Sequence, residues 1–232
     1  MRVPVLSCTA LAVLSLVVPG MAGAQACHGT PRGTTLAYEY GKLNVGNTQG
    51  LAATFGAVKL GARLRNIDDE LSGKEADLRF SIPIGTARFQ VCPLLGLGFQ
   101  RDEWDFDLDS RLTTNMLTLK AGAAFGTEIQ VAAGISAMPF VQVAYQFSAI
   151  HFDLEMPNSE PEVTGDTLSF VDIEYGLVGR YRNFFAGVAA NRDTDSEGIH
   201  PYQARYIFGF SFSGGSSSKA QVDPRRSGRQ RR

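Results

Sequence analysis

The chain has 232 residues, of which 25 are glycine, 15 are phenylalanine and only 19% are charged. That length suits one good-sized domain, and the mix favours short strands and tight turns over long helices. Its formal charge of −1 hides an uneven split: the last segment nets +5 and residues 25–213 net −7, so the total excludes neither sign of partner.

In chain order, residues 1–26 read as a secretory signal peptide. Arg2 supplies the positive start, "VPVLSCTALAVLSLVV" the apolar core, and Pro19-Gly20 a break before the small-residue stretch "AGAQA". Cleavage is expected after Ala24 or Ala26. No later window holds 18 uninterrupted apolar residues, so helical membrane spans are not expected. Export leaves two cysteines, Cys27 and Cys92. An even pair in an oxidising compartment predicts one disulfide between them.

From Leu51 onward the pattern is alternation. "EADLRFSIPIG" sets Leu78, Phe80 and Ile82 against Asp77, Arg79 and Ser81, and "FQVCPLLGLGFQ" sets Leu95, Leu97 and Phe99 against Gly96, Gly98 and Gln100. "MLTLKAGAAF", "FVQVAYQF", "VDIEYGLVGRY" and the terminal "RYIFGFSF" repeat the period of two, which is the strand signal. Long acidic stretches follow Arg65, Arg101, Leu154 and Asn191, with tighter links near "GTAR", "GTEIQ" and "YRN". Long connections at one end and short ones at the other are how outer-membrane barrels are joined. Counting back from the last strand predicts about eight strands beginning near Leu51. "TTLAYEYGKLNV" is then either a further strand, in a barrel of about ten, or a periplasmic lead-in.

The second face of each strand decides which side points in. Water-facing positions normally carry Lys, Glu and Thr; here Gly, Ala, Ser and Gln dominate, as suits a narrow lumen filled by side chains. Asp77, Arg79, Lys120, Asp172, Glu174, Arg180 and Arg205 carry both signs and are expected to pair inside. The apolar stripes are then left to face lipid.

These features together resemble a small bacterial outer-membrane β-barrel of the porin-like kind. The resemblance implies an all-β, antiparallel up-and-down transmembrane barrel over residues 27–213. The basic tail at 214–232 is expected to be disordered from its Gly, Ser and Pro content. It also implies outer-membrane lipid and the barrel-assembly machinery, reading the last strand, as partners. In that class the chain normally stops at the terminal aromatic; here Phe212 fits, and the chain runs on to Arg232.

Candidate chemistry is sparse. "DEWDFDLDSR" brings Asp105, Asp107 and Asp109 together, yet Ser110 and Met116 stand where a calcium loop of the EF-hand type needs Gly and Glu. The plainer reading is a strand leaving the bilayer, with Trp104 and Phe106 in an interfacial aromatic girdle. A hydrolase would need a base and nucleophile on one rim. His151, His200, Ser148, Ser159 and Ser196, with Asp193, Asp195 and Glu197, are the candidates, and none sits in a recognisable motif. No catalytic residue, metal or cofactor is therefore assigned. The tail has no aromatic residues for base stacking, so nucleic acid is not an expected partner and a monomer is expected. The leading expectation is a non-enzymatic structural or surface-interaction barrel with a closed or narrow polar lumen. The alternatives are a rim enzyme acting on lipid or peptide, and a soluble exported barrel holding a small apolar ligand.

Overall fold

The computed structural model describes residues 27, 29–31, 33–43, 46–66, 71–85, 89–106, 110–155, 162–193 and 204–212. They form β1 (Thr34–Lys42), β2 (Asn47–Phe55), β3 (Val58–Asn66), β4 (Leu71–Ser81), β5 (Ile84–Gly85), β6 (Gln90–Phe106), β7 (Ser110–Gly126), β8 (Ile129–Ala132), β9 (Ile135–Glu155), β10 (Glu162–Tyr181), β11 (Phe184–Asp193) and β12 (Ala204–Ser211). The two short strands β5 and β8 lie alongside β6 and β9. The other ten pair antiparallel with their neighbours in sequence, and β12 closes on β1 from Thr35↔Ser211 to Lys42↔Ala204. The result is a closed ten-stranded barrel.

Ten is the larger of the two counts that the alternation allows. Thr34–Lys42 is a strand of the wall, not a lead-in, and the chain from Asn47 to Asn66 reverses at Gly56-Ala57 to make two strands. Gly56 has φ +59°, a left-handed conformation that costs glycine nothing. Partner-to-partner steps from Lys42 reach Tyr175 by way of β12 and β11, and Val163 by way of β2 through β9, twelve positions apart on β10. Such a stagger in a ten-stranded barrel tilts the strands by about 40°.

Two-residue turns at Gly56-Ala57, Ala133-Gly134 and Arg182-Asn183 mark one end of the barrel, the turn end. Around the wall the outward positions are apolar and exposed: Leu36, Leu51, Leu60, Leu78, Leu97, Leu119, Phe147, Leu177, Val188 and Phe208 represent one strand each. Most of their inward neighbours are small or polar, and the larger apolar ones gather toward the turn end. The terminal strand follows the rule, with Tyr206 and Phe208 outside and Arg205 and Ile207 buried inside.

The wall is uneven in height. β1, β2 and β3 have 9 residues each, and β12 has 8. These lengths are close to the roughly 9–11 residues that a tilted strand needs to cross hydrocarbon. By contrast β6 and β7 have 17, β10 has 20 and β9 has 21. Three of the four stretches expected as long acidic loops are therefore largely strand, because their alternation continues past the apolar band. The β6, β7, β9 and β10 extensions stand above the loop end as a four-stranded wing.

Candidate functional site

The lumen is built in three layers. At the turn end Met138, Phe140, Val178, Phe185 and Ile207 form an apolar cluster with Ala37 and Ala189. The segment before β1 enters this layer. Cys27 is fully buried and bonded to Cys92 of β6, Gln142 donates from Nε2 to the Cys27 carbonyl at 3.2 Å, and Gly29 lies so close to Phe140 that a Cβ there would meet Cε1 at 2.4 Å.

The middle layer is ionic. Glu39 of β1 accepts from Lys59 Nζ at 2.8 Å, from Arg63 Nη2 at 3.0 Å and from Arg205 Nη1 at 3.1 Å. Arg205 also pairs with Glu174 of β10. Arg79 of β4 reaches Glu174 at 3.3 Å although four strand-to-strand steps separate β4 and β10 by the shorter way round. That pair crosses the lumen. Asp77 joins Arg63 at 2.7 Å and Arg79 at 3.3 Å, and Lys120 pairs with Asp172 at 2.9 Å. Glu39, Lys59 and Arg205 are each 1–2% exposed, so this layer is packed and not a water-filled pore. A buried charge is tolerated only when its partners are close and geometrically good, and here each carboxylate is held by guanidinium or ammonium groups from other strands.

The third layer is the inward face of the wing, where the polarity of the wall inverts. Outward positions carry Arg101, Glu103, Asn115, His151 and Ser169, while the inward ones carry Trp104, Met116, Ile150, Phe152, Leu168 and Phe170. Together with the top of the ionic layer they enclose a cavity of about 280 Å³. Polar residues, Glu75, Gln100, Asp102, Thr114, Thr118, Lys120 and Gln146, also line it. Arg65 Nη1 holds Asp102 Oδ2 at 2.8 Å, and Gln100 Nε2 donates to the same oxygen at 2.6 Å. Glycines 96 and 98 leave space along β6, where a Cβ at Gly98 would make only ordinary contact, 3.5 Å from Thr118 Cβ.

All seven charges expected inside lie on the lumen side, Arg180 pairing with Glu128 at 3.5 Å near the turn end. Sequence reasoning missed Glu39, Lys59, Arg63 and Arg65, which form much of the network. Trp104 differs from its expected place: it shares the inward face with buried Asp102 and lines the cavity, not an outer girdle. Its register position beside Leu71 of β4 fixes this. Ser148 and His151 lie on opposite faces of β9. The Ser148 hydroxyl is buried 3.0 Å from Thr118 Oγ1, while His151 is exposed beside Asp153 at 3.4 Å, so the two do not form a catalytic pair. The side chains of Asp105, Phe106, Asp107, Asp109 and Asp193, residues Ser159, Asp195, Ser196, Glu197 and His200, and the tail lie outside the described residues.

No protein-family model and no curated protein matches this chain. Solved structures with a similar course include the translocator domain of the autotransporter NalP from Neisseria meningitidis, at 14% identity and TM-score 0.38, over 77% of this chain and 87% of that one. A KdgM porin in complex with disordered oligogalacturonate aligns at 14% identity and TM-score 0.30, over 77% of this chain and 99% of that one.

Proposed function

We propose that the protein is an exported, integral outer-membrane barrel without catalytic role, whose sealed body anchors a binding surface outside the cell. The observation that carries this reading is the outward apolar band that runs round all ten strands. Leu95 and Leu119, 58% and 54% exposed, typify it, and in water such a surface would drive aggregation. In hydrocarbon every backbone group must also be paired, and a closed barrel meets that demand. With the turn end in the periplasm, the wing stands on the outer side. The packed ionic layer argues for an anchor and against a conduit.

Fractionation of the expressed chain tests the proposal. Recovery with outer membranes, a requirement for detergent and faster gel migration without heating are expected, and planar bilayers containing the folded protein should show no stepwise conductance. Recovery in a soluble periplasmic fraction would refute the membrane reading. Steady ion conductance would refute the sealed lumen.

A further inference from the structure

We infer that the cavity of the wing is a binding site for a small neutral amphiphile, one with an aromatic or compact aliphatic body and a single hydroxyl or amide donor. The inference extends the reading of the wing as a binding surface, and each part of the ligand follows from a part of the site.

The body follows from the walls. Trp104, Phe152 and Phe170 line the cavity together with Met116, Ile150 and Leu168, and Leu168 remains 38% exposed. The outer face of the same strands is polar, so these side chains are not meeting lipid. Among the described residues they form a concave apolar surface, the usual form of a small-molecule site. At about 280 Å³ the space is roughly twice one known to hold benzene, which suits a compact body.

The head group follows from the polar part of the lining. Thr114 Oγ1 and Glu75 Oε2 are buried and take no hydrogen bond among the described residues, and both residues line the cavity. A carboxylate oxygen can only accept, so the complementary group must donate. Leaving such an atom unpaired in a buried place carries a desolvation cost that a bound donor would relieve. The neutrality of the ligand follows from the ion pairing: Lys120 is held by Asp172, Asp102 by Arg65, Asp77 by Arg63 and Arg79, and Glu75 through its other oxygen by Arg63 at 2.6 Å. An ionic head would enter a site whose counter-charges are already committed.

Trp104 is the single tryptophan of the chain and lines the cavity, so it reports occupancy directly. The experiment titrates the full-length folded protein with 4-nitrobenzyl alcohol, a neutral quencher bearing one hydroxyl, and reads Trp104 emission. Saturable quenching is expected. Gly98→Leu, which places a side chain in the cavity from a strand position with room for it, should weaken binding by at least about tenfold. 4-Nitrotoluene, lacking the donor, should bind about fivefold more weakly, and 4-nitrobenzoate more weakly than the alcohol. Quenching that rises linearly and equally in wild type and Gly98→Leu would overturn the site, and tighter binding of the benzoate would overturn the neutral head group. Should Gly98→Leu not fold, judged by loss of heat-modifiable mobility, Met116→Phe takes its place as the cavity-filling variant. Trp104 reads occupancy in any folded preparation, so failure here is separate from failure of the membrane reading.

Discussion

The short side of the barrel and its tall side obey the same alternation and mean opposite things by it. On β1, β2, β3 and β12 the outward residues are mostly apolar, and the inward ones are small, polar or charged except Ile207. On β6, β7, β9 and β10 that holds only as far as Phe99, Leu117, Phe147 and the level of Ile173. Beyond these, Arg101, Asn115, His151 and Ser169 turn outward, and Trp104, Met116, Phe152 and Phe170 turn inward. A strand has two faces whatever surrounds it. On the proposed membrane reading depth decides which face is dry: within the band the outside is oil, and above it the outside is water. One strand can therefore change the sign of its amphipathicity without breaking its period.

Substitutions should separate the two sides of the wall. The largest effect is expected where both sides meet, in the ionic layer. Glu39→Ala removes the carboxylate shared by Lys59, Arg63 and Arg205 and should cost roughly 3–5 kcal/mol, the range for stranding buried charge; urea titration in lipid vesicles measures it. A loss below 1 kcal/mol would mean that the network contributes little to holding the short side.

The Cys27–Cys92 bond, across a sequence separation of 65, ties the segment before β1 to the first strand of the tall side. By loop-closure entropy it should contribute about 4 kcal/mol against unfolding, measured between oxidised and reduced protein. Peptide mapping without reductant that found both thiols free would refute the bond.

Next comes the apolar band. Leu95→Arg on the outer face of β6 should cost about 2–4 kcal/mol if that residue sits near the bilayer midplane, and equal tolerance in vesicles and in detergent-free buffer would argue against lipid contact. The smallest effects are expected on the wing, where neighbours should differ in the inverted sense. His151→Arg, on the outer face, should stay within about 0.5 kcal/mol, while Phe152→Arg, one residue on and facing inward, should cost about 1–2 kcal/mol. The reverse order would place the wing in lipid.

Much of the band was legible in the sequence because its signal is local. Leu78, Leu97, Leu119 and Phe208 declare their face by neighbours two residues away. The inward charges Asp77, Arg79 and Glu174 were legible for the same reason. Their partners were not, because Arg79 and Glu174 are 95 residues apart and meet only when the barrel closes. Glu39 went unread because it lies in "TTLAYEYGKLNV", a stretch whose place in the wall depends on the strand count. The hairpin at Gly56-Ala57 lacks Pro, Asn and Asp, the residues that usually announce a turn, and so hid one strand. Trp104 was misplaced for a different reason. Alternation assigns it to a face, and an aromatic at the end of a barrel strand suggests a girdle; only the height of β6 relative to β4 shows that oil has ended before it.

The internal anchorage of the segment before β1 also sets a path for mechanical load. β1 meets β12 through eight paired positions, the seam where the two ends of the chain join. Tension applied at Cys27 would not fall on that seam first. It would pass through the sulfur bridge to Cys92, inside β6, which is braced by pairing with β4 on one side and along all 17 of its residues with β7 on the other. Pulling from the N-terminal side would then load many ladder bonds together instead of peeling the seam one pair at a time, and reducing the bridge would convert the first geometry into the second.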